Sequence, residues 1–156
     1  MPLPAHTYFT VLSLPPRFRL DLGELEARYR EESRLWHPDR HGMAPAAERA
    51  RVLQRATDLN EAYRVLRSEQ KRAEYLLKLR GVDLLAESGS GRTPPAPGFL
   101  MMVLELREEL QEAREARDHA RVAALAADVR GRVGRDREAV AALFADLEAR
   151  EAASVV

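Results

Sequence analysis

His37-Pro38-Asp39-Arg40 separates two segments that both read as amphipathic helices. Upstream, Leu22, Leu25, Tyr29 and Trp36 recur at helical spacing behind the start signal Asp21-Leu22-Gly23-Glu24. Downstream, Leu53, Ala56, Leu59, Tyr63 and Leu66 do the same. Pro38 has no amide donor and pushes His37 out of the helical region, so the first of these helices must end there. An imidazole and a carboxylate are then displayed side by side on a stiff turn. Taken alone, His-Pro-Asp is only three residues, and in an arbitrary loop it reads as a turn with an Asx-type hydrogen bond.

The neighbouring stretches add weight to the short motif. Leu59-Asn60-Glu61-Ala62-Tyr63-Arg64-Val65-Leu66 is followed by Glu69-Gln70-Lys71-Arg72-Ala73-Glu74-Tyr75, and the chain opens with Tyr8-Phe9-Thr10-Val11-Leu12-Ser13-Leu14. In this order and spacing, the three stretches and the His-Pro-Asp turn resemble the J-domain, the module that docks on DnaK-type chaperones and triggers their ATP hydrolysis. The resemblance implies a helical hairpin with the turn at its tip.

Composition bounds the alternatives. A chain of 156 residues holds one or two small domains with modest cores. Hydrophobic content of 46% with 32% charged residues fits a soluble helical protein and not a disordered one. No run approaches the roughly 18 apolar residues of a bilayer span. The opening residues lack the basic and apolar regions of a signal peptide, so a cytoplasmic protein is expected. The absence of cysteine excludes disulfides, thiol nucleophiles and cysteine ligation of zinc or an iron-sulfur cluster. A formal net charge of zero argues against broad nucleic-acid binding. The charge is uneven, however. Residues 49–80 carry nine basic and four acidic side chains, and residues 99–118 carry six acidic and three basic. Two different partner faces, or simply two solvated ones, follow from that split.

Gly81 after Lys78-Leu79-Arg80 is a helix stop. The stretch Ala86-Glu87-Ser88-Gly89-Ser90-Gly91-Arg92-Thr93-Pro94-Pro95-Ala96-Pro97-Gly98 then offers no large apolar residue to bury. The expected organisation is an N-terminal domain over residues 1–80, a linker over 81–98, and a C-terminal domain over 99–156. The latter reads as three helices, about 99–117, 119–133 and 136–152, with Gly131 and Gly134 marking the second turn. Apolar residues at 122, 125, 129 and 133, then at 140, 143 and 147, give each of the last two helices one stripe. Short connections favour an antiparallel three-helix bundle, and the fold class expected is all-α.

Two candidate sites emerge from the residues. An exposed carboxylate beside a prolyl turn can pair bidentately with a partner arginine, which singles out Asp39. On the helix at 99–117, Phe99, Val103, Leu106, Leu110 and Ala113 fall on one face at about 100° per residue, the expected bundle core. Leu100, Leu104 and Glu108 fall on another, beside Met101, Glu105 and Glu112. That second facet is apolar at its start and acidic further on. It reads either as a docking surface or as a face packed against the first domain or into a wider core. A metal reading of His37 and His41 at four-residue spacing needs an unbroken helix, which Pro38 prevents, and no third ligand is evident. His6 and His119 are isolated. No set of side chains combines nucleophile, base and oxyanion site, so no catalytic residue, metal or cofactor is expected.

Resemblance narrows the choice. Arg72-Ala73-Glu74-Tyr75-Leu76-Leu77, Phe99-Leu100-Met101 and Leu104-Glu105-Leu106-Arg107-Glu108-Glu109-Leu110 are similar to the HscB family, the J-protein cochaperones of iron-sulfur cluster biogenesis. The similarity covers nearly the whole chain. It implies contacts with an HscA/DnaK-type chaperone at Asp39, shaped by His37 and Pro38 and joined by Arg40, Arg28 and Arg34. It implies contacts with an IscU-like cluster scaffold protein at Leu100, Met101, Leu104, Glu105, Glu108 and Glu112. Phe144 aligns with a further scaffold contact, although its spacing with Val140 and Leu147 also suits a core position. Arg40 stands where lysine is commoner in J-domains. The extra cysteine-ligated zinc site of some eukaryotic members has no ligands here. Other readings are a general J-protein with a different client, or a helical assembly protein whose turn is merely structural. Neither membrane nor nucleic acid is an expected partner.

Overall fold

The computed structural model describes residues 4–82 and 97–153, and the chain divides into two compact units, Met1–Leu84 and Leu85–Val156. Among the described residues all regular structure is helical. The greater part of the expected linker, residues 83–96, lies outside the described residues.

The first unit is built on four α-helices, α1 (Tyr8–Val11), α2 (Leu22–Leu35), α3 (Ala46–Arg67) and α4 (Glu69–Leu79), with a 3-10 turn at Pro38–His41 between α2 and α3. Three of the helix starts are capped by their own side chains. Thr7 and Thr10 close a reciprocal capping box at the start of α1. The Asp21 carboxylate accepts the amides of Gly23 and Glu24, so the start signal read in the sequence is the cap of α2. Ser68 caps α4, and Gly81 takes φ +83 beyond its end, a left-handed conformation that costs glycine little.

The core lies where α1, α2 and α4 meet α3. Phe9, Leu12, Leu25, Val52, Leu59, Leu66 and Leu76 are fully buried. Aromatic pairs flank it. Tyr8 stacks on Tyr75 at 4.4 Å, and Tyr8 N–H donates to the Tyr75 hydroxyl at 3.0 Å, which fastens the short α1 to α4. Tyr29 stacks on Tyr63 at 4.2 Å and donates to Asn60 Oδ1 at 2.7 Å, which fastens α2 to α3. Burial pushes the Tyr75 hydroxyl pKa up, against the opposing pull of its bond from Tyr8. Leu22 and Leu53, apolar positions of the sequence pattern, remain exposed at the margins of this core.

Arg72 is the one strongly buried cation of the described residues. Its guanidinium donates to the Leu66 carbonyl near the end of α3 and lies 5.4 Å from the Phe18 ring centre. Burial pulls its pKa down, with Glu69 acting in the opposite sense.

The second unit is an antiparallel pair, α5 (Pro97–Glu115) and α6 (His119–Ala153), joined by a tight turn. Arg117 takes φ +54 there, and Asp118 accepts the Arg121 amide at the start of α6. Arg121 reaches back to Glu109 at 2.6 Å, and Arg132 donates to Met102 Sδ, two cross-links that set the pairing of the helices.

This unit corrects the three-helix expectation. Residues 119–133 and 136–152 form one helix of 35 residues that passes through Gly131 and Gly134 without a break. Glycine inside a helix costs about 1 kcal/mol relative to alanine, too little to stop a helix supported on both sides. No proline interrupts the stretch, and the Arg132–Asp128 pair, one turn apart, spans Gly131. Within this unit α5 covers the expected apolar stripe of α6 incompletely. Val129, Val133, Val140 and Leu143 are exposed, Leu143 at 71%.

Candidate functional site

Two surfaces carry the side chains singled out in the sequence. The first is the turn after α2. Trp36 caps that helix, its amide bonding to Glu32 O at 3.0 Å. His37 is extended (φ −70, ψ 128), as the following proline requires. Its Nδ1 accepts the Asp39 amide at 3.3 Å, and its carbonyl accepts the Arg40 amide at 3.0 Å. The histidine therefore caps the 3-10 turn on which Asp39 sits. Asp39 projects outward, its side chain 89% exposed.

The arginines around it are not equivalent. Arg34 and Arg40 line both of the shallow cavities beside the turn, one of about 560 Å³ with Ala27, Arg30, Glu31 and Leu35, the other with Ser33 and His37. Arg40 also donates to the Arg34 carbonyl at 3.0 Å, so part of its guanidinium is held within the chain. Arg28 stands apart from both cavities, within 4 Å of Glu24 and Glu31. Arg30 was not singled out in the sequence, yet it lines the larger cavity; its position one helical turn before Arg34 was the available signal.

His41 carries a role that the sequence does not announce. It bonds through Nε2 to the Leu35 carbonyl at 3.0 Å, lies 3.6 Å from Glu48 through Nδ1, and stacks on Trp36 at 6.3 Å. Arg55 of α3 covers the same Trp36 ring at 5.9 Å and bonds to Val11 O and Glu32. Among the described residues, no three His, Asp or Glu side chains stand close enough to share a metal ion.

The second surface lies on α5. Leu100, Met101 and Leu104 are each at least half exposed, and Glu105, Glu108 and Glu112 are exposed beside them. They form a strip about 18 Å long at 1.5 Å per residue. Val103, Leu106 and Leu110 are half-buried and Ala113 is buried, so this side of α5 faces inward as its spacing implied. Phe99, expected on that inner face, is exposed instead, in the first turn of α5. Phe144 departs in the opposite direction. It is 6% exposed and does not stand on the surface as a docking residue. Its second reading, as a core position, is the one that matches its burial.

Two family models match the chain. A model described as the DnaJ domain matches residues 7–75, and one described as the HSCB C-terminal oligomerisation domain matches residues 95–156. The chain is 47% identical over 125 residues to a "Co-chaperone protein HscB homolog" of Ralstonia nicotianae, covering 80% of this chain and 69% of the relative. It is 46% identical over 123 residues to the homologue so named in Cupriavidus taiwanensis, covering 79% and 68%. Among solved structures it is similar to chaperone HscB from Vibrio cholerae, with a TM-score of 0.77 and 31% identity over 96% of this chain and 86% of that one. Human co-chaperone HscB gives a TM-score of 0.75 at 27% identity, covering 97% and 74%.

Proposed function

This chain belongs to the HscB family of co-chaperones, and from that premise we propose that it carries an IscU-like scaffold protein to an HscA-type chaperone and stimulates that chaperone's ATPase. Its role as a co-chaperone in iron-sulfur cluster biogenesis, and not as an enzyme, follows from the family. An Hsp70-type chaperone is the partner that a DnaJ domain implies. The scaffold, the dedicated chaperone and the contact residues are our reading.

The observation that carries the reading is the presence of two unlike docking features on one chain. One is an exposed aspartate on a capped prolyl turn with arginines beside it. The other is an apolar strip that passes into three glutamates. Asp39 would accept a partner arginine, with Arg34 meeting acidic groups on the chaperone. Leu100, Met101 and Leu104 would supply apolar burial to the scaffold, and Glu105, Glu108 and Glu112 would select a basic rim. Joining both ligands on one molecule raises the local concentration of client at the chaperone. We place this action in the cytoplasm; among the described residues no helix is long and apolar enough to cross a membrane.

Calorimetric titration of the organism's cluster scaffold protein into the native chain and Leu104→Ala tests the client side. Saturable one-to-one binding, weakened by about 1 kcal/mol or more in the variant, is expected. Absence of binding by the native chain would remove the scaffold from the reading and leave a J-protein with another client. On the chaperone side, Asp39→Asn is expected to abolish stimulation of ATP hydrolysis.

A further inference from the structure

The His-Pro-Asp motif leaves two helix carbonyls without their ordinary partners. The Arg34 carbonyl would accept from the residue four places on, but that residue is Pro38, which has no N–H. The Leu35 carbonyl would accept from the Asp39 amide, but that amide donates to His37 Nδ1. Helix ends always hold such unpaired acceptors, and a glycine in left-handed conformation commonly supplies the missing donors. No glycine occurs between Leu35 and His41. The two residues that follow the motif supply donors from their side chains instead. Arg40 Nη1 donates to Arg34 O and His41 Nε2 to Leu35 O, each at 3.0 Å and each reaching back six residues.

We propose that Arg40 and His41 are positioning residues, a pair of side-chain clamps that fix the angle at which α2 presents Asp39. This rests on the reading of Asp39 as the chaperone contact. The geometry supports a clamp over a bare surface charge. Both donors lie on the same 3-10 turn as Asp39, so their bonds tie that turn to the helix it leaves. His41 is also held from α3, with Glu48 at 3.6 Å, and by the Trp36 ring beneath Arg55. The Arg40 guanidinium suits the negative end of a helix. The turn is thereby tied to both arms of the hairpin, and Asp39 itself is left with its carboxylate outward.

The test compares two double variants in stimulation of the organism's Hsp70-type chaperone, with half-saturating concentration and maximal rate measured separately. Arg40→Met with His41→Leu removes both donors. Arg40→Lys with His41→Gln keeps one donor at each place. If loss of the clamps leaves about a tenth of the turns correctly set, the half-saturating concentration rises about tenfold while the maximal rate holds. The donor-keeping pair should stay near the native value. A folded Arg40→Met/His41→Leu protein that half-saturates like the native chain would overturn the proposal. If that double variant loses helix content, the single variants Arg40→Met and His41→Leu carry the same comparison. Amide hydrogen exchange at Asp39 and Arg40 gives a readout that needs no chaperone; it should quicken without the donors, and unchanged exchange would count against the clamp. A chaperone that ignores the native chain, or responds equally to Asp39→Asn, would instead refute the docking reading, and exchange alone would then decide the clamp.

Discussion

The two units of this chain solve the same problem, holding helices together, with very different amounts of core. In the first, helices α1, α2 and α4 converge on α3 and leave Phe9, Leu12, Leu25, Leu59, Leu66 and Leu76 with almost no contact with water. In the second, α5 packs against α6, and among the described residues of that unit only Ala113, Ala141 and Phe144 are buried. Two helices can cover a seam but cannot enclose one, so the valines and leucines of α6 sit half in solvent. The price of the thin core is stability; its consequence is display. A unit that encloses its apolar residues presents a partner with polar loops, here the turn at Asp39. A unit that cannot enclose them presents apolar strips, here Leu100, Met101 and Leu104. The difference in packing thus matches the difference in proposed partners, one recognised by charge and the other by apolar burial with an acidic border.

The contrast can be broken most directly by cavity formation. Leu59→Ala should destabilise the first unit by about 2–5 kcal/mol. Leu110→Ala, removing a half-buried side chain from the hairpin, should cost about 1 kcal/mol at roughly 0.8 kcal/mol per buried methylene. Hydrogen exchange resolved by segment, followed with denaturant, would separate the two units. Equal losses would mean that the hairpin is packed as tightly as the first unit.

Arg72 comes next. Arg72→Met keeps the apolar stem but leaves the Leu66 carbonyl without its donor, a loss of about 1–3 kcal/mol in denaturant titration. A variant more stable than the native chain would show that the cost of burying the cation exceeds the value of its bond.

Tyr75→Phe sharpens the comparison on a smaller scale, because it removes the acceptor for the Tyr8 amide at a cost of about 1 kcal/mol. It also predicts a pH effect. Burial raises the folded-state pKa of Tyr75, so the fold favours the neutral hydroxyl. That contribution is fully present below the ordinary tyrosine value of about 10 and is lost as pH rises through the folded value. Native protein should therefore lose stability faster above about pH 10 than Tyr75→Phe, in denaturation curves taken at several pH values. Parallel pH profiles would contradict the assigned burial.

The smallest effect concerns the continuity of α6. A Cβ at Gly134 meets nothing within 4 Å, so Gly134→Ala should stabilise the second unit by about 0.5–1 kcal/mol if the helix runs through. Loss of stability would restore the turn that the sequence pattern suggested.

Local signals were legible because their physics is local. Asp21 caps α2, Pro38 keeps the helix from continuing, and Gly81 takes the left-handed conformation at the end of α4, each through atoms within a few residues. The facet of α5 was legible for a similar reason, since 100° per residue sorts side chains into faces whatever they face. The misreadings share one cause. Gly131 and Gly134 looked like a turn because glycine weakens a helix, but neighbouring residues carried the helix across the weak point. The spacing of Phe99 points inward and that of Phe144 fits two faces, because an apolar side chain records only a tendency to be buried, and the available neighbour decides whether it is. His41 and Arg40 gave no signal of their joint role. Their partners lie six residues back, beyond any helical spacing, and come into reach only when the chain has turned.

By itself, the sequence determined the all-helical class, the helix ends near Asp21, Pro38 and Gly81, the His-Pro-Asp turn and the two-faced character of α5. These follow from backbone donors, fixed φ angles and the helical repeat. The tertiary structure decided which apolar stripes are covered, that α6 is one helix, that Arg72 is buried, and that two side chains take up the carbonyls orphaned beside Asp39. Each of these depends on what another part of the chain brings within a few ångströms, and that distance is set by packing, not by spacing along the chain.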